Sequence, residues 1–74
     1  MIFVDTITSK PHGAGKYEDI VLFADTKAEV PATGTSTAAL IVDLDRPLPP
    51  ATVIYTAACE VAILDSSDNW VWKE

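Results

Sequence analysis

The sequence has few of the residues that cross-link small proteins. Among its 74 residues there is one cysteine, Cys59, and one histidine, His12. A single cysteine excludes an internal disulfide, and one cysteine with one histidine cannot supply the ligands of a structural zinc site. A single domain of this length, residues 1–74, buries only about 60% of its unfolded surface, so we expect marginal stability as a monomer. Self-assembly, or docking on a larger partner, is the remaining source of stability.

Basic residues are also scarce. Five Lys and Arg residues against eleven Asp and Glu residues give a formal net charge of −6. Phosphate backbones and anionic lipids repel such a chain, so we expect neither nucleic acid nor a membrane as a partner. No apolar run approaches the ~20 residues that span a bilayer, and the first residues do not show the basic and then apolar pattern of a signal peptide. The expected location is the cytoplasm.

No motif has catalytic or cofactor-binding spacing. The GAG sequence at 13–15 lacks the rest of a phosphate-binding loop. Asp43 and Asp45 lie two apart on a predicted strand, but a calcium loop needs several more oxygen ligands. No histidine lies near Cys59 in the sequence to activate its thiol. We therefore predict a protein that is not an enzyme and that binds no cofactor and no metal.

The C-terminal run from Thr52 to Lys73 predicts three short strands joined by tight turns. Val53, Ile54 and Tyr55 are residues that favour strands. The sequence DSSDN at 65–69 has the side chains that stabilise turns, so it predicts a hairpin. Because side chains alternate across a strand, Trp70 and Trp72 are expected on one face and Val71 on the other.

The rest of the chain contains two further strand-like runs and one ambiguous segment. The alternation over 2–8 and the run LIVDLD over 40–45 each predict a strand. Residues 17–30 fit either a helix or a strand; we favour a strand, with a turn of helix allowed after Phe23.

The segments between these runs have the composition of connections. Residues 9–16 and 31–39 read as surface loops, and RPLPP over 46–50 as a rigid connection. The predicted fold class is thus mainly all-β: a small antiparallel barrel or sandwich of five to six short strands, with one short helix allowed within 17–30.

Two stretches also match a pattern that we know from other proteins. EVPATGT at 29–35 matches a loop of the form LPxxGT, and 50–71 matches closing strands of the form PGSVxYxxxxxVxxLDSxGxWV. Ala51 stands where that pattern has glycine, and Asp68 and Asn69 replace its glycine-containing turn. With these features the chain resembles small structural proteins encoded in the head region of tailed bacteriophages and prophages.

The resemblance implies a virion-associated structural or decoration protein that is not an enzyme. Such a protein would be a homo-oligomer with contacts to itself and to a capsid protein, made in the host cytoplasm and then present in the virion. The alternative is a small cytoplasmic β-rich binding module that recognises a protein or a carbohydrate through a sheet edge or the Trp70/Trp72 face. The candidates for packing or protein contact are Trp70 and Trp72, with Tyr55 across the sheet.

Overall fold

The computed structural model is mainly β, which confirms the predicted fold class. It describes residues 1–12, 15–42, 44 and 46–73, and the side chains of all of these except 9–12 and 15–18. The strands are β1 (Ile2–His12), β2 (Gly15–Ala24), β3 (Val53–Thr56), β4 (Val61–Leu64) and β5 (Trp70–Trp72). A 3-10 turn at Lys27–Glu29 and one short helix, α1 (Gly34–Ala39), lie between β2 and β3.

The strands form one sheet in the order β1-β2-β3-β4-β5. Neighbouring strands are antiparallel except β2 and β3, which are parallel. A parallel pair needs a long crossover connection, and here that connection includes the 3-10 turn and α1. The sheet is therefore mixed and open, and it does not close into the barrel or sandwich that the sequence predicts, because the crossover uses residues that a second sheet would need.

The long hairpin of β1 and β2 is more regular than the sequence predicts. We expected a loop over 9–16, but β1 continues to His12 and β2 begins at Gly15. Pro11 is compatible with this because β1 is an edge strand, where a missing N–H donor need not break a ladder. Only Val21 to Ala24 of β2 pair with β3, so the outer part of the hairpin extends past the rest of the sheet as a two-stranded arm.

For residues 17–30 we favoured a strand with a turn of helix allowed after Phe23, and this prediction is confirmed. β2 runs to Ala24, and the 3-10 turn at Lys27–Glu29 follows it. The loop expected over 31–39 is wrong, because α1 forms there. Thr33 caps this helix: its side chain accepts a hydrogen bond from the backbone N–H of Ser36. α1 has only six residues, GTSTAA, and all of them are small. The sequence therefore shows no apolar periodicity that would predict a helix here, and the cap residue Thr33 is the one local signal.

The strand expected over 40–45 is also wrong for its described residues. The backbone N–H groups of Leu40 and Ile41 donate to the carbonyl oxygens of Thr37 and Ala38, so the chain leaves α1 through turns instead of joining the sheet. Ile41 is buried and packs in the core. Asp43 and Asp45, the paired carboxylates of the sequence, lie outside the described residues.

The core lies on one side of the sheet, which we call the inner face. α1 and the segment after it cover this face, with Ala38 and Leu44 partly buried against the core and Ile41 and Leu48 within it. The buried apolar side chains of the strands are Ile2, Ile20, Leu22, Ala24, Ile54, Ala62, Leu64 and Trp70. No helix among the described residues is long and apolar enough to cross a membrane.

Candidate functional site

Trp70 and Trp72 lie on the inner face, on the same side of β5, while Val71 points to the other side. Trp70 is 9% exposed, and its indole Nε1 donates a hydrogen bond of 2.9 Å to Thr37 Oγ1 on α1. Trp72 is half-buried, and the ammonium of Lys27 lies 4.8 Å from its ring centroid. The structure therefore places the tryptophan pair under the helix and the 3-10 turn, where Trp70 is a core residue.

Tyr55 lies on the opposite side of the sheet, in a row of three aromatic rings. The Phe3 and Phe23 ring centroids are 5.2 Å apart, and those of Phe23 and Tyr55 are 5.1 Å apart. The row follows from the register, because Phe3 pairs with Phe23 and Phe23 with Tyr55 across adjacent strands. Tyr55 is the one sequence candidate that the structure places away from the core.

A β-bulge positions a carboxylate at the end of this row. The register of β1 on β2 shifts between Val4 and Thr6, which leaves Asp5 as the extra residue that a bulge re-aims. The Tyr55 hydroxyl donates a 2.7 Å hydrogen bond to Asp5 Oδ2. This bond, with partial desolvation of the ring and the Asp5 charge, raises the pKa of Tyr55 above its ordinary value.

Aliphatic side chains extend the aromatic row into one apolar surface, which we call the outer face. None of its members is fully buried; Phe3 is 45% and Val71 is 49% exposed. None of them is charged. The outer face is this set of apolar side chains: Phe3, Val21, Phe23, Val53, Tyr55, Val61, Ile63 and Val71. The register places Thr6 and Asp19 on the same side of the sheet, where the β1–β2 hairpin leaves this set.

A second apolar feature adjoins the outer face at the free edge of β1. A groove of about 490 Å³ is lined by Met1 to Val4 on one side and by Leu40 to Val42 on the other. Successive side chains of a strand point to opposite faces, so lining by three successive residues of β1, Ile2 to Val4, fits a groove that follows the edge of the strand. The other edge of β1 pairs with β2. This edge groove therefore lies along the side of β1 that has no neighbouring strand in the described chain.

Charged groups lie beside one end of the edge groove. The amino group of Met1 bonds to Asp25 Oδ2 at 2.8 Å and to Glu29 Oε2 at 2.5 Å. The bond to Asp25, and after it the bond to Glu29, raises the pKa of the amine. The bond from the amine in turn lowers the pKa of Glu29. The residues that line the groove itself, Met1 to Val4 and Leu40 to Val42, all have uncharged side chains. The arrangement suits an apolar strand more than a charged ligand.

The remaining features of the described residues are their potential metal ligands, their buried polar groups and the free cysteine. They contain no group of three or more His, Cys, Asp or Glu residues that could hold a metal ion. Every buried polar side-chain atom among them has a hydrogen-bond partner, so none is aimed at an absent ligand. Cys59 is exposed in the turn between β3 and β4.

Comparison with models of protein families, with curated proteins and with solved structures finds no match to this chain. The functional argument therefore rests on geometry and on the sequence pattern. Sequence reasoning missed the outer face, although the signal was present. Along β4 both alternating sets are apolar, Val61 and Ile63 against Ala62 and Leu64. Along β3, Val53 and Tyr55 alternate with Ile54 and Thr56, so only one of these four side chains is an aliphatic alcohol. Strands of this kind are typical of sheets that are covered on both sides.

Proposed function

We propose that this chain is a non-enzymatic structural protein, a decoration-like component of a tailed bacteriophage or prophage virion that acts through protein–protein contacts. The observation that supports this function best is the outer face. Strands β3 and β4 have the apolar side chains of a sheet covered on both faces, yet the described chain places its helix on the inner face alone. A second protein surface would supply the missing cover.

The expected gain from covering the outer face is large relative to the stability of the chain. Apolar patches of this kind measure about 300–600 Å², and burial contributes about 25 cal/mol per Å², so full cover contributes on the order of 10 kcal/mol before the cost of association. A domain of this length has a total stability of roughly 4–11 kcal/mol. Association itself costs about 4–15 kcal/mol, so the net stabilisation by assembly is the part of this gain that remains after that cost.

The charge distribution supports proteins as partners. The chain carries a net charge of −6, but the eight side chains of the outer face are uncharged, and the Asp5 carboxylate beside them is hydrogen-bonded to Tyr55. An acidic protein with an uncharged face would bind apolar protein surfaces and be repelled by nucleic acid and anionic membranes. The partners in this proposal are further copies of the chain and a capsid protein, which agrees with the resemblance to phage head-region proteins. The chain would be made in the host cytoplasm and then occupy the virion.

Particle composition tests this function. Density-purified particles from an induced culture should contain the chain at a fixed ratio to the major capsid protein. Val53→Lys adds a charge to the middle of the outer face, whereas Ala57→Lys adds the same charge to an exposed turn beside the same strand. We expect Val53→Lys to be lost from particles and Ala57→Lys to be retained, with both variants folded by circular dichroism. Particles without the wild-type chain, or with Val53→Lys at the wild-type ratio, would contradict the proposal.

A cytoplasmic binding module is the second candidate, and the edge groove is the observation that favours it. An open strand edge beside an apolar groove can accept an extended peptide from another protein. The version of this candidate that uses the Trp70/Trp72 face has less support, because Trp70 is buried against Thr37. An abundant chain in the lysate that is absent from particles would favour the binding module.

A further inference from the structure

We infer that two copies of this chain join through the outer edges of β1, antiparallel around a twofold axis, so that their two sheets become one continuous sheet. This inference names the first partner as a second copy and the contact as the edge groove. It rests on the proposed function in one respect, that the chain acts in an assembled form. The contact itself follows from the backbone, the aromatic row and the exposed side chains of the edge groove.

The backbone groups that point to the free edge of β1 can be identified. The N–H of Asp25 donates to the carbonyl of Met1, so these residues form a hydrogen-bonded pair of the β1–β2 ladder. Such pairs alternate with non-hydrogen-bonded pairs, and two residues further along Phe3 pairs with Phe23. The N–H and C=O groups of Phe3 therefore point to β2. Those of Ile2 and Val4 point away from β2, into the edge groove.

These outward groups allow one short symmetric pairing. The bulge at Asp5 ends the regular edge, and bulges limit pairing by other strands. The regular segment is thus Ile2 to Val4. A twofold axis at Phe3 places Ile2 of one copy opposite Val4 of the other. The N–H of each of these two residues then donates to the C=O of the other. The symmetry repeats the same two bonds between Val4 of the first copy and Ile2 of the second. The two Phe3 residues then form a non-hydrogen-bonded pair, in which side chains approach most closely.

The aromatic row supports the same axis. The row runs from Tyr55 through Phe23 to Phe3 with centroid spacings of 5.1 and 5.2 Å, and it ends at the free edge with Phe3 45% exposed. These spacings are close to the distance of about 4.8 Å between neighbouring strands. A second copy paired at Phe3 would place its own Phe3 at the next position. The two rows would then continue as one across the interface.

The exposed side chains at the edge groove supply the area for a dimer. Of the six large hydrophobic side chains that are exposed in the described part of the chain, four line this groove, namely Met1, Phe3, Leu40 and Val42. Val42 is 94% and Met1 is 77% exposed. At about 150–250 Å² for an aromatic side chain and about 60–120 Å² for an aliphatic one, these four offer on the order of 300 Å² per copy, and the strand backbones add to this. The total lies below about 1,200 Å², the lower end of specific interfaces, which predicts a weak dimer that dissociates on dilution.

A matched pair of lysine variants tests this contact by sedimentation equilibrium on the full chain. Val42→Lys places a charge in the edge groove, and Val71→Lys places the same charge on β5, far from β1 in the sheet order. Both side chains are exposed and both changes reduce the negative net charge equally. We expect the wild type to dimerise, Val42→Lys to weaken dimerisation at least about tenfold, and Val71→Lys to leave it unchanged. A monomeric wild type, or a dimer that Val71→Lys disrupts and Val42→Lys does not, would overturn the inference; the latter would indicate stacked outer faces.

A cross-linking test locates the axis. In a Cys59→Ser background, Phe3→Cys places two thiols at the twofold axis, and the separation in a non-hydrogen-bonded pair is compatible with a disulfide. Val71→Cys in the same background is the control. We expect rapid oxidation of Phe3→Cys to a covalent dimer; equal or slower oxidation than Val71→Cys overturns the inference. A dimer from a chain that is absent from particles would leave the inference standing and refute the virion function. A chain that is incorporated into particles but stays monomeric in both tests would refute the inference and leave the virion function standing.

Discussion

The two faces of the sheet are made by the same strands, yet only one of them is covered within the described chain. Ile54 is fully buried on the inner face, while its neighbours Val53 and Tyr55 remain partly exposed on the outer face. The sequence gives both faces apolar side chains, so the difference comes from the crossover between β2 and β3. That crossover carries α1, which packs against the core on the inner face.

The cover on the inner face is held by specific polar contacts as well as by apolar packing. Trp70 donates to Thr37 on the helix, and the Asp68 carboxylate accepts hydrogen bonds from the backbone N–H and hydroxyl of Thr35. A Cβ added at Gly34 would lie 2.6 Å from Leu64 Cδ2, so a larger residue there would have to displace the buried Leu64 side chain. No comparable set of contacts occurs on the outer face in the described chain. Substitutions should therefore act on folding at the inner face and on association at the outer face.

The largest effect on folding is expected at Trp70. Trp70→Ala should reduce the free energy of unfolding by about 3–5 kcal/mol, because it removes a buried aromatic ring and leaves a cavity under α1. Trp70→Phe keeps most of the ring and loses the bond to Thr37, so about 1–3 kcal/mol is expected. Trp72→Ala should cost less than Trp70→Ala, since Trp72 is only half-buried. Urea denaturation followed by far-ultraviolet circular dichroism measures all three; equal losses for Trp70→Ala and Trp72→Ala would contradict this account.

The comparison of the two faces can be tested with one substitution at adjacent positions. Ile54→Thr should destabilise the fold by about 2–4 kcal/mol, because it removes buried apolar atoms and buries a hydroxyl at a fully buried site. Val53→Thr keeps a β-branched side chain on the partly exposed outer face, so a change below about 1 kcal/mol is expected. Thermal and urea unfolding at low protein concentration measure the monomer. Similar losses at both positions would mean that the outer face is already covered.

A smaller effect is expected where the β4–β5 turn holds α1. Asp68 has a positive φ of 67°, and its carboxylate bonds to Thr35. Asp68→Ala removes these bonds and places alanine in a left-handed conformation, so a loss of about 1–3 kcal/mol is expected. Asp68→Gly removes the same bonds without that steric cost and should lose less. Urea unfolding compares the two variants; a larger loss for glycine than for alanine would show that the backbone conformation is unimportant here.

Local patterns predicted most of the strands but not their arrangement. Residues around Val53, Ile63 and Trp70 have strong strand propensity and clear turns between them, and the structure has strands and turns there. The helix over Gly34–Ala39 depends on a short cap and on its packing against Leu64 and Asp68, which are contacts between distant parts of the chain. The apolar run at Leu40 to Val42 resembled a strand, although Ile41 instead joins the cover of the core.

The candidate site was harder to predict than the strands. The sequence named Tyr55 together with the two tryptophans as contact candidates. In the structure Tyr55 lies on the outer face and the tryptophans lie on the inner face. The face on which each side chain lies depends on the register of β3 and β5 with β4, which no local pattern specifies. The edge groove joins Ile2 to Leu40 across the molecule, so no local pattern could indicate it. The open outer face could have been suspected from the apolar alternation of β3 and β4 alone. Its lack of cover required the position of α1.

One departure from the phage-like pattern predicts a stabilising substitution. Ala51 stands where the pattern has glycine, and its φ is 72°, a left-handed conformation that costs an L-residue about 1–2 kcal/mol. Glycine has a larger unfolded-state entropy, which offsets about 0.5–1 kcal/mol of that gain. Ala51→Gly should therefore raise the free energy of unfolding by about 0.5–1 kcal/mol. Ala57→Gly, at a turn residue without positive φ, is the control and should lower it; the same sign at both positions would exclude the conformational explanation.

The smallest effect is a titration on the outer face. The hydrogen bond from Tyr55 to Asp5, followed by partial desolvation and the charge of Asp5, raises the pKa of the phenol. The folded state thus holds the phenolic proton more tightly than the unfolded state does. The stabilisation from this bond is fully present below the ordinary tyrosine pKa of about 10 and is lost as the pH rises through the folded value.

Phenolate absorbance in a Tyr17→Phe background, which leaves Tyr55 as the sole tyrosine, should show the raised pKa, and Asp5→Asn should lower it towards the ordinary value. Because Asp5 follows the segment Ile2 to Val4 on β1 and bonds to Tyr55 on β3, an Asp5→Asn variant that also changed dimerisation would link the outer face to the edge groove. An unchanged pKa in this variant would show that the bond is absent in solution.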